Sequence, residues 1–347
     1  MNRNTKIESI ISREQSTAIK GFLMLLIVLG HCYYLTRNAE TGEKFLYRDF
    51  LYLFHVSCFF ILPWLYGSGR SIIGGGRNLV SNTLKDIDRL GRPYFVFFAV
   101  FAIIQWILNR SSFDISTIAL TVKAFIFGDI NSIKNSTNCS FLWFLPAMIS
   151  CNLFRNLWYI SSKGWRIIII TLSLAIWSVI ILRCIDQYDL YTYVPFAIIQ
   201  GLQFIIFCVI SDTLLRNYGN NKWLYLIALI IFINLVLVYF CQWRDQLIDI
   251  YQLLALIMPV IAMLLIYKAK AYLAKSLLLS IVGQYSLYIY LTHVIVLNLL
   301  NPILLRLIGN PIILGCTVYF TTLVITLTIG IYMSRNRLIQ KYVFPKQ

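Results

Sequence analysis

Long runs of apolar residues, separated by short polar links, organise the whole 347-residue chain. A helix needs about 20 mostly apolar residues to cross a hydrocarbon layer of ~30 Å. Ten stretches reach that length, at 18–36, 47–67, 93–109, 141–160, 166–183, 193–211, 223–241, 247–267, 277–300 and 311–333. A further apolar stretch at 117–127 is too short to span, and is expected to lie along the membrane interface or to re-enter. The pattern predicts an all-α, polytopic bundle of about ten transmembrane helices. No Pro- or Ser-rich linker divides it, so residues 1–347 are expected to form a single transmembrane domain with no appended soluble domain.

Composition excludes the soluble alternatives. Hydrophobic residues make up 59% of the chain and charged residues 13%, against about 45–50% and 25% in soluble domains; mean hydropathy is +0.74. The net charge of +16 would suggest nucleic acid in a soluble protein. Here the basic residues sit in short links between apolar runs, where positive charge marks the cytoplasmic side. With the N-terminus inside, 21 of the 30 Lys and Arg fall on inner segments and 9 on outer ones. An even number of spans then makes both termini cytoplasmic, in the cell (inner) membrane. Seven of the eight tryptophans lie near span ends as an interfacial belt, and Trp177 alone is mid-span. The eight cysteines show no C-x-x-C spacing and mostly lie inside apolar runs, so neither a disulfide framework nor a metal site is expected.

Ionisable groups inside a membrane are costly, and each is a functional candidate. No carboxylate lies deep in a span, which disfavours a proton-coupled carrier. The three histidines, His31, His55 and His293, all fall within spans. His31 lies eleven residues beyond Lys20, three helical turns and roughly 16 Å, so the two share a helix face. The three imidazoles are placed at comparable depth, either converging on one cavity or separately bonding neighbouring helices. Histidine's unperturbed pKa of ~6.5 suits it to general-base work near neutral pH.

A second constellation, Lys85-Asp86-Ile87-Asp88-Arg89-Leu90-Gly91-Arg92, leads into the third span. Arg89 and Arg92 are spaced i,i+3 and, if helical, offer paired forks to phosphates. The same spacing also allows ordinary pairing with Asp86 and Asp88. Taken with Lys20, these cations suit a ligand with an anionic head and a long thin arm reaching a reactive tip, as in acyl-CoA.

These residues resemble the integral-membrane acyltransferase family 3, whose members acylate saccharides and lipids. Ala18 through His31 looks like its opening helix, with Arg, ten residues, then His. Phe54-His55-Val56-Ser57-Cys58-Phe59-Phe60 is similar to its Phe-His-x-Pro-x-Phe-Phe run, and Arg89-Leu90-Gly91-Arg92 to its Arg-x-x-Arg motif. Leu142-Trp143-Phe144-Leu145-Pro146-Ala147 and Ser286 through His293 resemble its fourth-helix and late-helix signatures. Lys20 stands where Arg is usual, keeping the charge but not the fork, and Ser57 stands where Pro is usual.

The resemblance implies an acyl-CoA-dependent O-acyltransferase moving acetyl from cytoplasmic acetyl-CoA to a hydroxyl of a cell-surface polysaccharide or its lipid-linked precursor. It implies His31 as general base or transient acyl carrier, with His55 assisting. Lys20, Arg89 and Arg92 would hold the CoA phosphates, and Trp143, Phe144 and His293 would line the cavity. The implied partners are acetyl-CoA, a saccharide acceptor and membrane lipid, with neither nucleic acid nor metal. The alternative is a transporter or flippase of an anionic or polyprenyl-linked saccharide, which has no reason to cleave a thioester.

Overall fold

The computed structural model of the chain describes residues 9–38, 41–66, 76–108, 114–182, 187–240 and 247–345. Arg70, Arg183, Cys184, Cys241 and Trp243 therefore lie outside the described residues. Among those described, regular structure is helical throughout, apart from one isolated antiparallel bridge between Arg37 and Lys44. Among the described residues eight helical segments are long and apolar enough to cross a membrane, and the protein is an all-α polytopic membrane protein.

The helices fall into two compact units. The first comprises Ser9–Tyr66 and Phe207–Asn336. Its N-terminal helices are α1 (Arg13–His31), α2 (Tyr33–Thr36), α3 (Leu46–Tyr52) and α4 (His55–Tyr66). The second comprises the described residues within 67–206 and 337–347. It holds α5 (Gly76–Leu108), α6 (Ile115–Phe127), α7 (Ile130–Thr137), a 3-10 turn (Ser140–Trp143), α8 (Phe144–Ile160), α9 (Lys163–Ile181), α10 (Gln187–Leu190) and α11 (Ile198–Gln203). Then come α12 (Ile205–Tyr218), α13 (Lys222–Phe240), α14 (Leu247–Ala274), α15 (Leu277–Gln284), α16 (Ser286–Leu305) and α17 (Pro311–Arg335), which return the chain to the first unit. Finally α18 (Arg337–Tyr342) belongs to the second.

Local chemistry explains most boundaries. Ser12 opens α1 in a reciprocal capping box with Gln15. Asn310 caps α17, where Pro311 takes the first helical position. Asp114 caps α6, and that helix ends at Gly128, whose φ of 69° favours glycine and where a Cβ would lie 2.9 Å from the Pro146 ring. Outward faces are apolar: only 17% of the α13 window is buried within the protein, leaving Leu226, Ile227, Ile230 and Ile233 exposed. Such a face is stable only against hydrocarbon.

Several expected boundaries move. The first span runs Arg13–His31 rather than 18–36, because the backbone turns extended at Cys32. The second is broken at Leu53–Phe54, between α3 and α4, and the ninth at Tyr285, between α15 and α16. The largest change is at α5, a 33-residue helix that starts 17 residues before the expected 93. The stretch carrying Arg89 and Arg92 is thus helix, not loop. The apolar stretch near 117–127 is the 13-residue α6, with Ile115, Ile118, Leu120 and Val122 exposed.

In the first unit α1 packs closely on α15. A Cβ at Gly21 would overlap the Leu279 carbonyl oxygen, and one at Gly283 the Thr17 carbonyl oxygen. Two glycines thus bring the backbones into contact, the small-residue packing that holds helices together in lipid. In the second unit Gly201 lets α11 approach Ser150 and Cys151 on α8. The mid-span Trp177 is buried there, its Nε1 donating to the Gln203 carbonyl at 3.0 Å.

Candidate functional site

Three backbone breaks in the first unit bring its histidines together. His31 is the last residue of α1, His55 the first of α4, and His293 lies in α16. The His31 and His293 rings meet edge-on with centroids 5.0 Å apart. Tyr52, at the end of α3, bridges to the third: its ring lies 6.2 Å from His31 and 4.9 Å from His55. Tyr290 adds a ring 5.9 Å from His293. Room for Tyr52 comes from Gly30, where a Cβ would lie 3.1 Å from the tyrosine ring. The Tyr52 hydroxyl donates to the Gly30 carbonyl at 3.4 Å.

His31 and His293 are oriented by carbonyls of their own helices, and His55 by a carbonyl of the preceding α3. Nδ1 faces the Ile27 carbonyl at 2.9 Å in His31, the Leu51 carbonyl in His55, and the Tyr290 carbonyl at 2.7 Å in His293. A carbonyl only accepts, so in each case Nδ1 carries the proton. The lone pair of the neutral ring is therefore on Nε2, the orientation a general base requires. His55 and His293 are fully buried, whereas His31 is only partly so. Of the three, His31 is the least buried.

Lys20 is half-buried on α1, eleven residues before His31. Two further groups were not anticipated from sequence. Tyr52 sits three residues before His55, and Arg48 holds its guanidinium over the Tyr52 ring at 4.5 Å while pairing with Asp49 at 2.9 Å. The i,i+4 spacing of Arg48 and Tyr52 on one short helix was the available signal.

The other cations lie in the second unit, and both take the partners their spacing allows. Arg89 pairs with Asp86 at 3.6 Å, and Arg92 pairs with Asp88. Arg92 also donates to the Lys341 carbonyl of α18 at 3.0 Å. Asp86 is buried and shared with the buried Arg155 of α8, 3.7 Å away. Both Asp86 pairs are longer than the ~2.7–2.9 Å of a tight charge-assisted bond. Trp143 and Phe144 belong to this unit too, with Trp143 stacked on Phe204 at 6.3 Å. Among the described residues no group of three His, Cys, Asp or Glu is arranged to hold a metal ion.

The acyltransferase-domain profile of acyltransferase family 3 matches residues 14–335. No curated protein and no solved structure matches the chain.

Proposed function

Because the chain belongs to acyltransferase family 3, and is therefore a membrane acyltransferase, we propose that it is an acyl-CoA-dependent O-acyltransferase. It transfers acetyl from cytoplasmic acetyl-CoA to a hydroxyl of a cell-surface polysaccharide or its lipid-linked precursor, in the cell (inner) membrane, with both termini cytoplasmic. The observation that carries this reading is the partly exposed His31, its Nδ1 tied to the Ile27 carbonyl.

In the proposed step the acceptor oxygen bonds to the thioester carbonyl carbon as Nε2 of His31 takes the hydroxyl proton. Collapse of the adduct breaks the C–S bond, and the departing CoA sulfur takes that proton back from Nε2. Base catalysis of this kind contributes about 10²–10⁴-fold. His293 and Tyr52 hold the His31 ring from two sides, and His55 fixes Tyr52 in turn. In the second unit Arg89 and Arg92 take phosphates of CoA, exchanging some of their present contacts for phosphate oxygens, and Trp143 and Phe144 contact substrate there. In the first unit Lys20 is the cation on the helix that ends in His31.

The test is thioester turnover by the purified protein, together with the mass of surface glycan from cells with and without it. The reading requires CoA release and an acetyl increment on the glycan. A saccharide transporter would move its cargo and release no CoA.

A further inference from the structure

The seam between α5 and α8 is polar where a membrane bundle is normally apolar. Asn82, Asp86 and Arg89 recur at i, i+4 and i+7 on α5, and Asn152, Arg155 and Asn156 occupy one face of α8. The Asp86–Arg155 pair joins the two rows. Asn82, Asp86, Asn152, Arg155 and Asn156 are all at least nine-tenths buried.

Two buried amide donors on the α8 side of this seam have no hydrogen-bond partner: Nδ2 of Asn152 and Nδ2 of Asn156. The Asn156 side-chain oxygen accepts from Arg155 at 3.4 Å, which fixes the amide orientation and turns its NH₂ away. Buried donors left unpaired are destabilising, and native proteins rarely keep two of them one turn apart. Both groups are donors on the face of α8 that carries Arg155, whose guanidinium bonds Asn156. A ligand that satisfies them brings acceptor oxygens and negative charge, which is the chemistry of phosphate.

We propose that Asn152, Arg155 and Asn156 of α8 complete, with Arg89 of α5, a buried seat for a phosphate group of acyl-CoA. The inference rests on the acyltransferase reading above and extends its donor site to a helix that carries none of the expected cations. In this arrangement Arg155 does two things. It counters Asp86, and it orients Asn156 so that the amide N–H groups face the phosphate.

The test is calorimetric titration of the full-length protein, purified in phospholipid-free detergent, with CoA and with 3′-phosphoadenosine 5′-diphosphate, which carries every CoA phosphate and no pantetheine. Asn152→Leu and Asn156→Leu should each weaken both ligands by the same factor, roughly tenfold for a lost hydrogen bond to a charged group. Without ligand the melting temperature of Asn152→Leu should hold or rise, because an unpaired donor is replaced by an apolar group of similar size, whereas Asn156→Leu also removes the acceptor of the Arg155 bond and should melt lower. Asn152→Asp, equal in size, should weaken both ligands further by repulsion, and it serves if a leucine variant does not fold.

Unchanged affinity for CoA overturns the seat, and so does a loss confined to CoA, which would place these amides at the pantetheine arm or on bound water. Leucine variants that bind CoA normally but lose co-purifying phosphatidylglycerol would assign the seat to a lipid headgroup and overturn the donor assignment. A wild-type protein that neither binds CoA nor cleaves a thioester removes the acyltransferase reading itself, and the seat falls with it.

Discussion

Replacing Gly283 by alanine adds a single methyl group where α15 meets α1. That methyl would overlap the Thr17 carbonyl oxygen, a backbone atom that no rotamer change can move. The Gly21 backbone nitrogen lies 3.0 Å from the same added carbon, so the clash has no side-chain exit. The helices must therefore separate locally. Overpacking of this kind costs about 1–3 kcal/mol, and in lipid no hydrophobic force restores the contact. The functional effect is expected to be larger than the stability effect. His31 ends the same α1 helix, and a displacement of ~1 Å at a reacting group can cost ~10²-fold in rate. Gly164→Ala provides the control: nothing lies within 4 Å of its added methyl, so it should be neutral or stabilising by up to ~1 kcal/mol through helix propensity. Thermal melting in detergent followed by tryptophan fluorescence, with acyl transfer measured on the same samples, reads both effects. If Gly283→Ala melts and turns over like Gly164→Ala, the two backbones are not in contact there and the packing argument fails.

Three further outcomes are expected. Tyr52→Phe keeps the ring between His31 and His55 and should retain most activity, whereas Tyr52→Ala should lose roughly tenfold or more as both imidazoles lose a packing partner; equal activities would remove Tyr52 from the site. Arg89→Ala should weaken CoA binding more than Arg92→Ala, because Arg92 is already held by Asp88 and the Lys341 carbonyl, whereas the Arg89–Asp86 pair is looser at 3.6 Å. Arg92→Ala should instead speed proteolysis of the C-terminal helix by removing its bond to the Lys341 carbonyl. Asp114 caps α6, and its bonds from Ser116 and Thr117 hold the carboxyl below its ordinary range. A lowered folded-state pKa gives a contribution that is present above the unfolded value of ~3.9 and lost as pH falls through the folded one. Amide protection in the first turn of α6, measured relative to the intrinsic exchange rate at each pH, should therefore fall in acid, and Asp114→Asn should abolish that pH dependence while keeping the cap; an unchanged acid profile in the variant would show that Asp114 is not its source.

Much of the fold was legible because hydropathy reports burial in lipid directly, and α9, α13 and α17 lie close to their apolar runs. The breaks were not legible. Cys32, Leu53 and Tyr285 are neither Gly nor Pro, and a hydropathy window averages across them, yet the first two of these interruptions adjoin His31 and His55. The reach of α5 was hidden for the opposite reason: its first turns are polar, and helix continues there because Asp86 is held by Arg89 and by Arg155. His31, His55 and His293 could be singled out as intramembrane ionisable groups, but their contact joins residues more than 260 positions apart, which spacing cannot express. Tyr52 and the α8 amides escaped because tyrosine and asparagine are common in such chains; only their surroundings distinguish them.

The central claim is that His31 removes the acceptor proton. Its most direct test is single-turnover transfer from radiolabelled acetyl-CoA by purified His31→Gln, a side chain of similar size that cannot take up the proton, with CoA binding measured on the same sample. The account predicts a rate about 10²–10⁴-fold below wild type with CoA affinity and melting temperature retained. A His31→Gln protein that transfers acetyl at close to the wild-type rate would contradict it.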